Sequence, residues 1–185
     1  MVVRHPLERL ASFYHDKLEK GYDSQWFKKN MGSNMLRLYR SHVPHEKLFS
    51  GEGVRFEEFI QYIIDGYKNE HWRGPYDNQC QPCSINFDRI VRLETFENDA
   101  WDIVMHQLKG RGIKTRRNKF SSSKQGHFEF GKILSEYVNV SDVQLDAIVT
   151  KYNTDFQQFG YNFTRMNGIV NTNCIIQTSE QDVCC

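Results

Sequence analysis

Residues 2–21 read VVRHPLERLASFYHDKLEKG, and this stretch decides the predicted fold. Two valines run directly into Arg4, a histidine and Pro6, after which apolar residues recur at helical spacing. Proline is favoured in the first turn of a helix, and the lysine and glycine that close the stretch are typical of a helix end. The stretch therefore predicts a buried strand over 1–4, a tight turn, and a helix whose core-facing side is formed by Leu7, Leu10, Ala11, Tyr14 and Leu18.

The rest of the chain repeats this order of strand and helix. Helical stripes are predicted at 27–38 and 56–67, and a second strand over 85–94 leads into a helix over 95–108. A serine–glutamine capping box opens a last long apolar stripe over 141–160. Strand followed by helix, repeated, is typical of an α/β fold with a largely parallel sheet. We therefore predict one α/β domain.

Charge and hydropathy exclude several classes of protein. The 185 residues include 24 Lys or Arg and 23 Asp or Glu, so the net charge of +1 creates no extended field to hold nucleic acid or an anionic membrane. No apolar run is long enough to span a membrane, and charges throughout the first twenty residues exclude a signal peptide. We expect no nucleic-acid partner, and any anion site must be local.

Two acceptor patterns for N-glycosylation point to a secreted or lumenal protein. They begin at Asn139, in Asn-Val-Ser, and at Asn162, in Asn-Phe-Thr. Such tripeptides also arise by chance, and two silent sequons have about equal weight as an interpretation.

The pair Cys80 and Cys83 allows three interpretations. A redox pair follows an apolar strand at a helix start, whereas polar residues precede this pair and a predicted strand follows it. A zinc site formed with His71 would have three ligands, one fewer than a structural zinc site requires. We therefore expect no metal and favour a loop closed by a disulfide, although the sequence does not give the pairing.

Arg4 is the best candidate for an anion ligand. It stands where a strand ends and a helix begins, the position at which α/β sheets bind phosphate through backbone N–H groups and the helix dipole. Ser12 follows eight positions later and offers a hydroxyl donor. The alternative is that Arg4 pairs with a nearby acid, Glu8 or Asp16, and that Ser12 only packs.

Three blocks of this sequence resemble the Golgi carbohydrate sulfotransferases, in the branch with the chondroitin 4-O-, dermatan and HNK-1 sulfotransferases. The first, from Val3 to Leu18, resembles that family's VRHPFERLxSAYRDK stretch. The second, from His71 to Ala100, resembles its HWxPxxxxCxPCxxxYDxIxxxET block, and the third, from Ile148 to Tyr161, its YxxDxxxFGY motif. The blocks occur in the family's order and cover most of residues 2–161.

The resemblance implies a fold and an activity. It implies a P-loop-like central parallel sheet flanked by helices, and sulfuryl transfer from 3′-phosphoadenosine 5′-phosphosulfate (PAPS) to a sugar hydroxyl of a glycan, with chondroitin or dermatan N-acetylgalactosamine the favoured acceptor. Carried over by position, Arg4 and Ser12 would hold the donor's 3′-phosphate. Residues 1–161 would belong to one sulfotransferase domain and 162–185 to a tail.

The family's upstream segments have no counterpart here. They comprise a membrane anchor of a type II Golgi protein and the loop that holds the 5′-phosphosulfate. We therefore expect an N-terminally truncated chain that binds the 3′-phosphoadenosine group weakly and turns over little, if at all, by itself. The alternative is a non-catalytic fragment that binds glycans.

The catalytic base and the acceptor contacts are less well defined by the sequence. His71, in a loop predicted over 70–84, is a weak candidate for the base, and its alternative is a structural ring hydrogen-bonded beside Trp72. A basic segment predicted as a loop over 109–130 could close on the nucleotide, grip an anionic glycan, or only be solvated. Its cations are Arg111, Arg116, Arg117 and Lys119.

Overall fold

The structure is a computed structural model, and it describes residues 1–19, 24–72, 74–76, 80–82, 84–96, 135–166 and 169–174. Side chains are described up to Thr164. Three of the sequence predictions fall outside these ranges: most of the helix over 95–108, the basic segment over 109–130, and Cys83.

A short parallel pair of strands places one strand within each of the two predicted strand segments. Strand β1 (Val2–Val3) pairs with β2 (Val91–Arg92) in parallel, with Val2 opposite Val91. The rest of the predicted strand over 85–94 is wrong, because residues 85–90 have no regular secondary structure and Leu93–Thr95 form a 3₁₀ turn. Ile85 and Leu93 are 48% and 46% exposed, so their apolar side chains do not form the buried face that a longer strand would need.

The first helix forms as predicted. Helix α1 (Pro6–Phe13) has Pro6 at its start, and a π-helical segment, Tyr14–Glu19, continues it. Leu7, Leu10 and Ala11 are fully buried, so this helix places one apolar stripe in the core.

Four helices follow between α1 and the predicted loop over 70–84. They are α2 (Ser24–Phe27), joined to α3 (Ser33–Tyr39) by a π-helical segment (Lys28–Gly32), then α4 (His45–Ser50) and α5 (Phe56–Ile64). Helix α4 was not predicted, and it buries none of its residues, so it leaves no apolar stripe to detect. The prediction of a core-facing apolar stripe over 27–38 is wrong at its C-terminal end, because Leu38 is 45% exposed.

The last described part starts with a 3₁₀ turn (Ser135–Asn139) and two helices, α6 (Asp142–Lys151) and α7 (Asn153–Gln158). Ser141 and Gln144 form the predicted capping box. The predicted single stripe is interrupted at Tyr152, whose φ of −107° and ψ of 16° are not helical.

Residues expected to form a tail include two strands. Strand β3 (Tyr161–Met166) pairs antiparallel with β4 (Ile169–Cys174), and Tyr161 lies opposite Cys174. A domain end at residue 161 stays a prediction, as does the larger central sheet, since the described strands are these two pairs.

An aromatic core holds these elements together. Trp72 is 1% exposed and contacts Phe13 and Phe59 edge-on, with ring centroids 4.8 and 5.4 Å apart. Tyr137 is fully buried against Phe56, at 4.8 Å. This core fixes α1 against α5, and α1 in turn positions Arg4 at the end of β1.

Candidate functional site

The candidate site lies where the two parallel strands end. Arg4 follows β1 and Glu94 follows β2, so the pairing of the strands brings these two residues to one edge. This is the edge at which α/β sheets bind their ligands. The Arg4 backbone N–H donates to the Tyr76 hydroxyl at 3.2 Å, which joins the loop of the second sequence block to this edge.

The side chain of Arg4 faces Glu8, as the alternative interpretation expected. Arg4 Nε lies 3.5 Å from Glu8 Oε2, and the Arg4 side chain is 23% exposed. Asp16, the other acid considered, instead contacts Lys17 at 2.8 Å. Arg4 Nε is buried, and within the described residues the guanidinium is held by this long contact with Glu8 and by no well-aligned hydrogen bond. The exposed part of the guanidinium can therefore reach an anion.

Glu8 is an unusual partner for Arg4 because it is buried. It is 2% exposed, and its Oε1 has no hydrogen-bond partner among the described residues. Burial raises the pKa of Glu8 to about 7; the charge of Arg4 opposes this rise, and that of Glu94 adds to it. Near neutral pH Glu8 therefore balances the charge of Arg4 only in part.

Glu94 caps the start of α1. Its Oε1 accepts the His5 backbone N–H at 2.7 Å, and its Oε2 accepts the Tyr161 hydroxyl at 3.1 Å. The buried His5 ring accepts the Leu7 N–H through Nδ1, so its Nε2 carries the proton and donates to the Asn162 carbonyl at 3.2 Å. Burial lowers the pKa of His5 to about 4; the Asn162 bond raises it and Arg4 lowers it further.

These contacts correct one step of the sequence argument. The sequence analysis expected free backbone N–H groups at the start of the helix to bind the anion. Those of His5 and Leu7 already have acceptors, so an anion here would depend on the Arg4 side chain instead. Ser12 is half-buried, and its hydroxyl makes no hydrogen bond among the described residues. The roles of Arg4 and Ser12 stay predictions.

His71 lies at the C-terminal end of α1, whereas Arg4 precedes the start of this helix. Its ring is exposed and packs on Phe13 and Phe27, with centroids 5.1 and 5.7 Å apart. Its backbone N–H donates to Asn69 Oδ1 at 3.0 Å. The ring makes no hydrogen bond within the described residues, so the expected hydrogen-bonded ring does not form there. Its role as a base stays a prediction.

The other candidate residues are only partly described. Cys80 is half-buried and has no disulfide partner in the described part of the chain, and Cys83 lies outside it, so their pairing is still a prediction. Gln81 between them has a φ of +46°, a conformation that non-glycine residues seldom adopt. Arg116 and Arg117 lie outside the described residues. Asn139 is exposed and Asn162 is half-buried.

The third sequence block supports the strand ends. The Tyr152 hydroxyl donates to the Trp72 carbonyl at 2.9 Å, and the fully buried Asp155 accepts the Tyr76 N–H at 2.6 Å. The other oxygen of Asp155 lies 3.4 Å from Arg9 Nη2. The sequence analysis did not predict the contacts of Asp155 or Glu94. Both residues lie within the blocks that resemble the family, and that position was the one sequence signal that could have marked them as important.

The described residues contain neither a membrane-spanning helix nor a cluster of metal ligands. No helix among them is long and apolar enough to cross a bilayer. No group of three or more His, Cys, Asp or Glu among them is arranged to hold a metal ion.

Comparison with known proteins identifies relatives for most of the chain. Carbohydrate sulfotransferase 11 of Mus musculus is 31% identical over 167 residues, which cover 87% of this chain and 46% of that protein. Carbohydrate sulfotransferase 14 of Danio rerio is 32% identical, over 87% of this chain and 43% of its own length. Carbohydrate sulfotransferase 8 of Mus musculus is 29% identical, over 87% of this chain and 38% of that protein. The chain thus spans less than half the length of these curated relatives.

No solved structure matches the chain. A family model described as the sulfotransferase family matches residues 1–162, which include β1, α1, β2 and both clusters around Arg4 and Asp155. The chain therefore belongs to the sulfotransferase family.

Proposed function

We propose that this chain belongs to a carbohydrate sulfotransferase that uses PAPS as its donor, and that Arg4 holds the 3′-phosphate of that donor. One observation carries the proposal: a partly exposed arginine lies at the edge formed by two parallel strands, and among the described residues its guanidinium is held only by a long contact of 3.5 Å with Glu8. Charge-assisted bonds from a guanidinium suit a terminal phosphate, which offers several anionic oxygens.

An anion that binds Arg4 would replace Glu8 as the partner of this arginine. In the free protein the Glu8 carboxyl faces Arg4 at 3.5 Å. An incoming phosphate would take over Arg4, and the buried Glu8 would then lose the cation that favours its charged form. Binding of the phosphate should therefore be accompanied by proton uptake at Glu8, and it should weaken as pH rises above about 7.

The rest of the reaction needs groups beyond this edge. In-line transfer to a sugar hydroxyl requires a donor held at both ends, positive charge near the bridging oxygen, and a base close to the attacking hydroxyl. Arg4, with Ser12, would supply the contact at the 3′ end. His71 is our candidate for the base, and N-acetylgalactosamine of chondroitin or dermatan is our candidate acceptor.

A lumenal, Golgi location fits the exposed sequon at Asn139. A glycan on the exposed Asn139 would extend into solvent, whereas the half-buried Asn162 in a paired strand leaves less room for one. After secretory expression, we expect an endoglycosidase-sensitive shift in electrophoretic mobility that disappears in Asn139→Gln. An unglycosylated product would count against the location.

Calorimetric titration with two nucleotides tests the proposal. Adenosine 3′,5′-bisphosphate and 5′-AMP differ only in the 3′-phosphate, so we expect the bisphosphate to bind at least about tenfold more tightly, the effect of one charged contact. Equal affinities, or no binding of either nucleotide, would contradict the donor site. Retention of the chain on a chondroitin column without nucleotide binding would favour the glycan-binding fragment instead.

A further inference from the structure

A cleft separate from the Arg4 edge lies between α2 and the segment that follows α5. Its volume is about 440 Å³, and it is lined by Trp26, Phe27, Lys68, Asn69, Glu70 and His71. This volume is in the range of small-molecule sites, roughly 300–1,000 Å³. The cleft can therefore admit a ligand of the size of a sugar unit.

One wall of the cleft is aromatic and largely open. Trp26 is 59% exposed, although tryptophan is among the residues with most to gain from burial. Its ring contacts Phe27 edge-on at 5.1 Å, and Phe27 is in turn held by Phe13 at 5.4 Å and by His71 at 5.7 Å. The indole is thus supported from one side and exposed to the cleft.

The opposite wall consists of four consecutive polar residues. Lys68 and Glu70 bring opposite charges, so the lining has no net charge when His71 is neutral. The His71 ring and the Lys68 ammonium make no hydrogen bonds within the described residues, and the Asn69 amide nitrogen reaches only the Met31 sulfur, at 4.0 Å. Donors are therefore available here without the excess positive charge that a phosphate or a nucleotide would need.

We propose that this cleft is a subsite for one neutral sugar ring of the acceptor glycan. The indole of Trp26 would lie against the C–H face of a pyranose, which is apolar, while Lys68, Asn69 and His71 bond the hydroxyl or acetamido groups at its rim. An exposed aromatic beside uncharged hydrogen-bonding capacity matches a ligand with one apolar face and a polar edge.

The position of the cleft agrees with this role. Phe13, which holds Phe27 and His71, directly follows Ser12 in α1. The helix that begins at the proposed phosphate site therefore ends beside the cleft, and one rigid element sets the separation between donor and acceptor. In this respect the inference rests on the proposed function.

Saturation-transfer NMR with an unsulfated chondroitin hexasaccharide tests the subsite. Moderate salt should be used, so that attraction between the anionic chain and surface cations is screened. We expect the ring protons of one sugar to receive saturation, and we expect Trp26→Ala to weaken binding at least fivefold. Trp26→Phe, which keeps a smaller ring, should retain most of the affinity.

Phe49→Ala is the matched control. Phe49 is 71% exposed on α4 and does not line the cleft, so its removal deletes an equally accessible aromatic ring elsewhere. We expect its hexasaccharide affinity to equal that of the parent. Equal losses in the Trp26→Ala and Phe49→Ala variants, or no loss in Trp26→Ala, would overturn the subsite.

Adenosine 3′,5′-bisphosphate binding separates failure of the subsite from failure of the donor site. Trp26→Ala should leave nucleotide affinity unchanged. A parent chain that binds the nucleotide but not the hexasaccharide would overturn the subsite and leave the donor site intact. A chain that binds the hexasaccharide through Trp26 but not the nucleotide would support the subsite and contradict the donor site.

Discussion

Replacing Glu8 with glutamine should change how the stability of this protein depends on pH. Glu8 is the buried acid beside Arg4, and its pKa rises from 4.5 to about 7, mainly because burial disfavours the charged form. The folded state therefore binds more protons than the unfolded state between these values. The stability that comes from protonated Glu8 is present below pH 4.5 and is lost as pH rises through about 7.

The size of the effect follows from the pKa. Each pKa unit corresponds to about 1.4 kcal/mol, so ionising Glu8 costs the folded state about 3 kcal/mol by pH 8. Its side chain is only 3% exposed, so screening by solvent reduces this little. Glutamine has the same shape and no charge. The free energy of unfolding of Glu8→Gln, relative to the parent, should therefore increase by about 3 kcal/mol between pH 4.5 and pH 8.

The variant must be compared with the parent because His5 also changes the stability of the folded state with pH. Its pKa is lowered from 6.5 to about 4, so its contribution to stability is lost as pH falls through this range, opposite in sign to that of Glu8. The parent should therefore show a nearly flat pH profile from these two groups. Because both proteins contain His5, its contribution cancels in the difference.

Urea unfolding followed by tryptophan fluorescence measures this difference, since Trp72 is buried. Glu58→Gln is the control, since Glu58 is equally buried but is held by Arg40 through bonds of 2.6 and 2.7 Å. Burial raises the pKa of Glu58, but the bonds from Arg40 and Arg55 outweigh it and lower the pKa below its usual value. Glu58→Gln should destabilise the protein by a constant amount above pH 4.5. A constant difference for Glu8→Gln as well would refute the reasoning.

Three further changes test the fold around the site. Gly51→Ala should destabilise the protein by at least about 2 kcal/mol in urea unfolding, because φ there is +68° and the added carbon would overlap the Lys28 carbonyl. Asp155→Ala should cost about 3–5 kcal/mol, since it removes the carboxylate that balances the charge of Arg9 and accepts the Tyr76 N–H, and a loss below 1 kcal/mol would contradict these contacts. Ser141→Ala should cost about 1 kcal/mol, with Ser141→Thr retaining most of the cap.

Local signals in the sequence predicted the start of the site well. A proline after two valines defines β1 and α1, and a serine followed three positions later by glutamine defines the start of α6. These features depend on residues close together in the chain, so pattern and spacing are enough to find them.

Features that depend on distant contacts were missed. Glu94 accepts the backbone N–H of His5, 89 positions earlier, and no local pattern indicates such a contact. Helix α4 has no buried side. The β3–β4 hairpin was missed for another reason, since the Asn-Gly pair at 167–168 between its strands is a local hairpin signal that the tail prediction overlooked. Arg4 was found, but its buried partner Glu8 was only an alternative, because burial of a glutamate depends on the packing of several elements.

Binding of adenosine 3′,5′-bisphosphate and 5′-AMP to Arg4→Ala is the most direct test of the central claim, that Arg4 holds a 3′-phosphate. We expect the bisphosphate to lose about 1.5–3 kcal/mol of binding free energy, or about 10- to 150-fold in affinity, while the affinity for 5′-AMP stays the same. Arg37→Ala removes an exposed arginine on α3 and should change neither affinity. Equal losses for the two nucleotides in Arg4→Ala, or none, would contradict the claim.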